Sequence, residues 1–234
     1  MLYLLPNLLA DLPHHELFLP PSVDRAVARL DGLIAESERA ARRFLGRFET
    51  KRPASEIPVA LFNRHTPDRD LDFLLEPLQK GETWGCIADA GLPCIADPGS
   101  KLVWRARELG LRIQAFTGPS SLFLSLMLSG LPAQKFQFHG YLSSDPARRR
   151  GELLSLEGES RKKGLTQLFI ETPYRNMALL QQMVECLDDE TKLAAAWDLT
   201  QPSQGVVSQK VAFWKKSPLP NLKKKPAIFQ IFSG

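Results

Sequence analysis

Cysteine is scarce in this chain of 234 residues, and the three present, Cys86, Cys94 and Cys186, form no Cys-x-x-Cys pair. A disulfide framework or a zinc ribbon needs more thiols at closer spacing, so both are excluded. The three read as buried thiols of a reducing compartment. Histidine is equally thin: of four, two adjoin at His14–His15 and no ligand cluster surrounds them, so no metal site is expected. Gly-x-Gly-x-x-Gly, Gly-x-Ser-x-Gly and the P-loop pattern are all missing, which argues against a nicotinamide enzyme, a nucleophile-elbow hydrolase and a P-loop nucleotidase. Long apolar runs are absent too. The longest, Leu122–Leu128, falls far short of the ~20 residues of a membrane span. The opening Met1–Pro6 lacks the basic flank of a signal peptide. A soluble, cytoplasmic protein is the expectation.

What is present suits a globular fold. Hydrophobic residues make up 44%, with thirteen Phe and four Trp as bulky core material, enough to bury a substantial core in one or two domains. Thirty Lys and Arg against 26 Asp and Glu give a net charge of +4. That mild excess tolerates a polyanionic partner such as RNA without demanding one.

Short apolar segments alternate with helical patterns, the signature of an α/β fold with mixed, largely parallel sheets. Strands are predicted at Leu2–Leu5, Leu33–Ala35, Pro58–Phe62, Thr83–Ala88, Arg112–Phe116, Phe136–Tyr141, Leu165–Ile170, Leu193–Ala196 and Ala227–Phe232. Helices are predicted from Ser22, with Val23, Val27 and Leu30 on one face, and at Glu38–Phe48, Asp68–Leu78, Leu102–Leu109 and Met177–Leu187. Asp145–Lys163 reads as a polar helix or a pair of loops. Leu122–Leu128 is apolar all round, which predicts a helix buried on every side. The pattern breaks at Thr117-Gly118-Pro119, so two α/β lobes are placed at residues 1–116 and 117–234.

Ligands of open α/β sheets bind beyond the carboxyl ends of the strands. Asp89-Ala90-Gly91-Leu92-Pro93 follows a predicted strand there: Gly91 admits close backbone approach, Pro93 stiffens the turn, and Asp89 accepts hydrogen bonds. The same residues also suit a plain chain reversal. Asp97 or Ser100 reads as the cap of the following helix. Thr117-Gly118-Pro119-Ser120-Ser121 lies between a strand and a helix, where amides and hydroxyls attract a carboxylate, although Ser120 also fits as a simple cap.

Taken in order, these blocks resemble the tetrapyrrole methylase superfamily, and within it the branch of ribosomal RNA small-subunit 2′-O-methyltransferases and their short relatives. The blocks are Ala88-Asp89-Ala90-Gly91-Leu92-Pro93 with Asp97-Pro98-Gly99, Gly118-Pro119-Ser120-Ser121, Ser129-Gly130-Leu131-Pro132, Phe138-His139-Gly140-Tyr141-Leu142, Glu171-Thr172-Pro173-Tyr174-Arg175, and Pro226-Ala227-Ile228. The resemblance implies a homodimeric methyltransferase with S-adenosylmethionine in a cleft between an N-terminal acceptor lobe and a C-terminal cofactor lobe. Asp89, Ala90, Gly91 and Pro93, Thr117, Gly118, Pro119, Ser120 and Ser121, Ile170, Glu171, Ala196, Pro226, Ala227 and Ile228 would line that cofactor's pocket. Three blocks depart from the pattern: Asn7-Leu8-Leu9-Ala10-Asp11, Glu36-Ser37-Glu38-Arg39-Ala40-Ala41-Arg42, which lacks the second acidic residue, and Ala196-Trp197-Asp198-Leu199-Thr200-Gln201. The first and third bear on the acceptor.

Methyl transfer to an alcohol requires removal of the acceptor's proton. Asp11, Glu36, Asp89 and Glu171 are candidates for that base, although carboxylates placed like Glu36 and Glu171 more often serve as structural partners of arginines, here Arg39 and Arg175. Arg148–Arg150, Arg161–Lys163 and Lys223–Lys225 are basic clusters suited to phosphates or to solvent. RNA is the acceptor that the resemblance favours. A tetrapyrrole or other small-molecule acceptor, and a regulatory protein that binds the cofactor without turnover, are the alternatives.

Overall fold

The computed structural model describes all residues, Met1–Gly234, and the chain divides into two compact units, Met1–Ser120 and Ser121–Gly234. The division falls four residues beyond the expected 116/117, for a packing reason. A Cβ on Gly118 would meet Pro6 Cβ at 2.0 Å, and one on Gly91 would lie 3.5 Å from the Pro119 carbonyl. Residues 117–120 thus belong with the first unit.

In the first unit, β1 (Leu2–Leu4), β2 (Gly32–Ala35), β3 (Val59–Leu61), β4 (Trp84–Cys86) and β5 (Ile113–Ala115) form one sheet in the order β3-β2-β4-β1-β5. Every pairing is parallel, as helical crossovers require. The crossovers are α1 (Pro21–Val27), α2 (Glu38–Leu45), α3 (Leu71–Gln79) and α4 (Gly99–Glu108). Alternate side chains feed opposite faces. Tyr3, Leu33 and Ala35 join Val23, Val27, Leu30, Ala41 and Phe44 in one cluster, while Leu2, Ile34, Trp84 and Cys86 join Leu71, Leu75, Leu102 and Ala106 in another. Cover on both faces of the central strands β1, β2 and β4 explains why they carry almost no polar residues.

The second unit has β6 (Phe136–Tyr141), β7 (Thr166–Glu171), β8 (Lys192–Trp197), β9 (Gly205–Lys210) and β10 (Ala227–Phe232) in the order β6-β7-β10-β8-β9. Only β6–β7 is parallel; the other three pairings are antiparallel. The parallel character expected of the chain therefore resides mainly in the first unit. The helices α6 (Pro146–Lys163), α7 (Asn176–Cys186) and α8 (Val211–Trp214) supply Leu153, Leu179, Leu180, Met183, Val211 and Trp214 to one face, against Phe169, Leu193, Phe229 and Ile231. The opposite face carries α5 (Ser121–Ser129), tied to β9 by the Ser208 hydroxyl donating to the Ser129 carbonyl at 2.6 Å.

Three local readings change. Residues 145–163 form a single helix, because Asp145 caps its start through the Arg148 amide at 2.8 Å and Gly164 ends it in the left-handed conformation. The expectation that α5 is buried on every side is overturned: Ser125, Leu126 and Ser129 are buried, but Phe123 is 54% and Met127 76% exposed. The strand β9 and helix α8 carry no strong sequence signal, since Gly205–Lys210 mixes valines with Ser, Gln and Lys.

Candidate functional site

In the first unit the residues singled out from the sequence lie where β1, β4 and β5 end. The β1 strand runs into Pro6 and Asn7, whose side chain is buried and fully used. Its amide donates to the carbonyls of Ala88 at 3.0 Å and Asp89 at 3.1 Å, and its oxygen accepts from the Leu8 amide at 2.9 Å. The Asn7 main-chain amide also donates to the Gly91 carbonyl at 2.8 Å. Asn7 therefore shapes the Asp89–Gly91 turn. That role went unrecognised in the sequence, although a lone buried-type amide directly after a strand and a proline is a usable signal.

Gly91 holds φ +73°, a conformation that costs other residues ~1–2 kcal/mol. Thr117 and Gly118 come alongside, with Gly118 pressed on Pro6 and Pro119 beside Gly91. The two glycine turns singled out in the sequence are thus neighbours. The amides of Ala90, Gly91, Thr117 and Gly118 donate to no protein acceptor, and Asp89 and Ala90 are exposed while Pro93 is buried. Free donors next to an exposed carboxylate form a set suited to a zwitterionic amino-acid group and to hydroxyls. Asp97 serves the fold instead. Its carboxylate accepts from the amides of Cys94 at 2.8 Å and Gly99 at 2.6 Å, fastening the start of α4.

Three of the carboxylates named as bases have different surroundings. Asp11 is paired with Arg43 at 3.2 Å and Arg47 at 2.9 Å. Glu171 has a fully buried side chain whose Oε1 accepts from Arg175 at 2.6 and 2.9 Å and from the Thr172 amide at 2.6 Å, while its Oε2 has no partner. Glu36 has no cation. Its Oε1 accepts the Asp89 amide at 3.4 Å, and its carboxyl is raised above the ordinary 4.5, first by burial, then by the charge of Asp89 and, less, of Asp97. Arg39 does not pair with it.

In the second unit the named residues share one stretch of sheet. Ile228 pairs with Ile170 on one side and Ala196 on the other, so the three form a single row across β7, β10 and β8. Ala227 pairs with Glu171 and Trp197 one rung earlier, and the Asp198 amide donates to the Pro226 carbonyl at 3.1 Å. The row's small and branched side chains suit an apolar ring system. Beyond it, the Asp198 carboxylate binds Lys225 at 2.6 Å and Ser203 at 2.9 Å.

Backbone strain concentrates at the same places. Five non-glycine residues have positive φ: Cys94 and Ala96 follow β4, Asp198 and Thr200 follow β8, and Lys224 precedes β10. Such conformations persist where surrounding structure imposes them, commonly at functional sites.

Residues 19–212 match the Tetrapyrrole (Corrin/Porphyrin) Methylases. The chain is 33% identical over 171 residues to the ribosomal RNA small subunit methyltransferase I of Xylella fastidiosa, covering 73% of this chain and 57% of that protein. With the protein of the same name from Mycobacterium bovis it shares 34% identity over 197 residues, covering 83% and 67%. The match thus spans little more than half to two thirds of these relatives. A crystal structure of the methyltransferase CobJ superposes with a TM-score of 0.63 at 14% identity, over 95% of this chain and 91% of that one, and shares the fold. By residues matched and by relatives, this chain is a member of the tetrapyrrole methylase family.

Proposed function

We propose that the chain is a cytoplasmic S-adenosylmethionine-dependent methyltransferase acting on the ribose 2′-oxygen of small-subunit ribosomal RNA. The convergence of the Asp89–Gly91 and Thr117–Ser120 turns, arranged by Asn7, carries the reading, since their free amides and the Asp89 carboxylate match the groups of the cofactor. Relatives named for ribosomal RNA methylation at 33% and 34% identity support the acceptor.

S-adenosylmethionine supplies the methyl group on a sulfonium for in-line displacement. The amides of Ala90, Gly91, Thr117 and Gly118 hold its polar groups, and Ile170, Ala196 and Ile228 form an apolar wall. Pro93 and Ser120 of the first unit and Ser121, Glu171, Pro226 and Ala227 of the second are the further cofactor contacts of this reading. Most of the rate comes from positioning. Glu36 takes the hydroxyl proton: Asp11 and Glu171 are already committed to arginines, whereas burial and Asp89 move Glu36 towards neutral pH, where a base is most effective.

Self-association is part of the proposal. Phe123 and Met127 of α5 and Phe136 and Tyr141 of β6 are exposed, and Phe123 meets Phe136 edge-on at 6.0 Å. An exposed apolar patch of this kind marks an interaction surface, here for a second copy. Light scattering should give a dimer that Met127→Glu converts to monomer; an unchanged mass would count against this face.

The decisive assay supplies methyl-labelled cofactor and small ribosomal subunits from a strain lacking the gene. Label on a ribose in the RNA is the expected result. Calorimetric binding of the cofactor with no label on RNA overturns the acceptor, and a spectral change on adding a precorrin would reassign it to a tetrapyrrole. Binding without transfer to any cell fraction would reassign the chain as a regulatory protein.

A further inference from the structure

The most exposed of the large apolar and aromatic side chains is Tyr174, at 78%. It sits in the turn between β7 and α7. The Arg175 guanidinium lies over its ring, 5.7 Å from the centroid. A second loop is fastened to this turn by the Lys224 amide, which donates to the Pro173 carbonyl at 3.2 Å. That loop is itself constrained: Lys224 holds φ +63°, and the Lys223 amide donates to Asn221 Oδ1 at 3.0 Å.

Charge at this place is uncompensated. The two nearby carboxylates each have their own cation, Arg175 on Glu171 and Lys225 on Asp198, both at 2.6 Å. Lys223 and Lys224 have no carboxylate partner and are exposed. Of the other basic clusters, Arg161 pairs with Asp188 and Lys163 with Glu159, while Arg148 and Arg150 are exposed on α6 around the buried Arg149, with no exposed aromatic ring shown beside them. The Tyr174 turn and the lysine loop flank the rung where Ala227 pairs with Glu171, next to the row of Ile170, Ala196 and Ile228.

We propose that the Tyr174 turn and the Lys223–Lys224 loop form a contact for single-stranded RNA, in which a base stacks on Tyr174 and flanking phosphates pair with the two lysines. An open π face beside fixed positive charge is the combination that binds unpaired nucleotides, because stacking tolerates any base while lysines follow the backbone. Single-stranded RNA suits it better than duplex, whose bases are already stacked on one another. The inference rests on the RNA-methyltransferase reading and supplies the surface that presents the acceptor strand.

The test is fluorescence anisotropy of the full chain with a short, unstructured, labelled RNA of mixed sequence across a range of salt. Calorimetric binding of S-adenosylmethionine to each variant provides the check on folding. Tyr174→Ala should weaken RNA binding by about tenfold or more, while Tyr174→Phe, which keeps the ring face, binds as the parent does. Lys223→Ala combined with Lys224→Ala should reduce the slope of log affinity against log salt by about 1.4. Cofactor affinity should stay at the parent value throughout. If the parent binds RNA and these variants match it in affinity and salt slope, the contact is wrong while the RNA reading stands. If the parent binds neither the oligonucleotide nor small ribosomal subunits, the RNA reading falls and this contact with it.

Discussion

The side-chain amide of Asn7 is joined to the main-chain carbonyl of Ala88 by a 3.0 Å hydrogen bond across 81 residues of sequence. Through it the end of β1 sets the conformation of the loop after β4. Without a donor there, the buried Ala88 carbonyl would be left unpaired, at a cost of ~1–3 kcal/mol.

Asn7→Ala should accordingly lower stability by about 1–3 kcal/mol and weaken cofactor binding at the same time. Asn7→Asp should be worse, since a carboxylate then faces the carbonyls of Ala88 and Asp89. Urea midpoints and calorimetry measure the two effects. An Asn7→Ala protein indistinguishable from the parent in both would remove Asn7 from its organising role.

Two alanine substitutions should move stability in opposite directions. At Gly118 a Cβ collides with Pro6 at 2.0 Å, so Gly118→Ala is expected to cost roughly 1–3 kcal/mol as the loops part. Gly158, in the middle of α6, is exposed and a Cβ there meets nothing within 4 Å. Gly158→Ala should stabilise by about 0.5–1 kcal/mol, because alanine loses less backbone freedom in a helix. Paired urea titrations test the sign of each change.

Legibility in the sequence followed the strength of local signals. The central strands β1, β2 and β4 announce themselves because both of their faces are covered, and the glycine turns at Gly91 and Gly118 because few residue types tolerate such close packing. In contrast, β9 faces α5 with Ser208 and is half exposed, so its alternation is diluted. The polar and apolar residues of α6 are spread around its circumference, and only the Asp145 cap and Gly164 settle its length. Tertiary order was the least legible. Ile170, Ala196 and Ile228 become neighbours because β10 inserts between β7 and β8, and no local pattern encodes that insertion. The exposed Phe123 and Met127 belong to the same class of error, since a helix this rich in Leu, Phe and Met reads as buried whatever its outer face meets.

Removing the cation from Glu171 should be costly. The carboxylate's side chain is fully buried and Arg175 supplies two of its hydrogen bonds, so Arg175→Ala strands a buried charge and should destabilise by about 3–5 kcal/mol. Arg175→Lys keeps the charge but loses the paired donors, and should fall between. Adding Glu171→Gln to Arg175→Ala should restore part of the loss, a non-additivity that a double-mutant cycle reads directly. Additive effects would mean that the two side chains act independently.

Glu36 links stability to activity through pH. Its carboxyl is raised above 4.5 by burial and by Asp89, so the folded chain keeps this proton to higher pH than the unfolded chain does. Between 4.5 and the raised value the folded state binds more protons, and stability must fall as pH climbs through that window. Below 4.5 the group's favourable contribution is complete; above the window ionised Glu36 is a penalty. Glu36→Gln removes the penalty while keeping an acceptor for the Asp89 amide, so its melting temperature should exceed the parent's at about pH 7 and approach it at about pH 4. Asp97, raised in the same sense by burial, is present in both proteins, and its repulsion with Glu36 is part of what the substitution relieves. Methyl transfer should show the converse: the acid limb of kcat/KM lies above 4.5 in the parent, and Glu36→Gln loses both the limb and most of the rate. A Glu36→Gln enzyme with parental rate and an unchanged pH profile would assign the proton to another group and leave Glu36 as a strained support for the Asp89 turn.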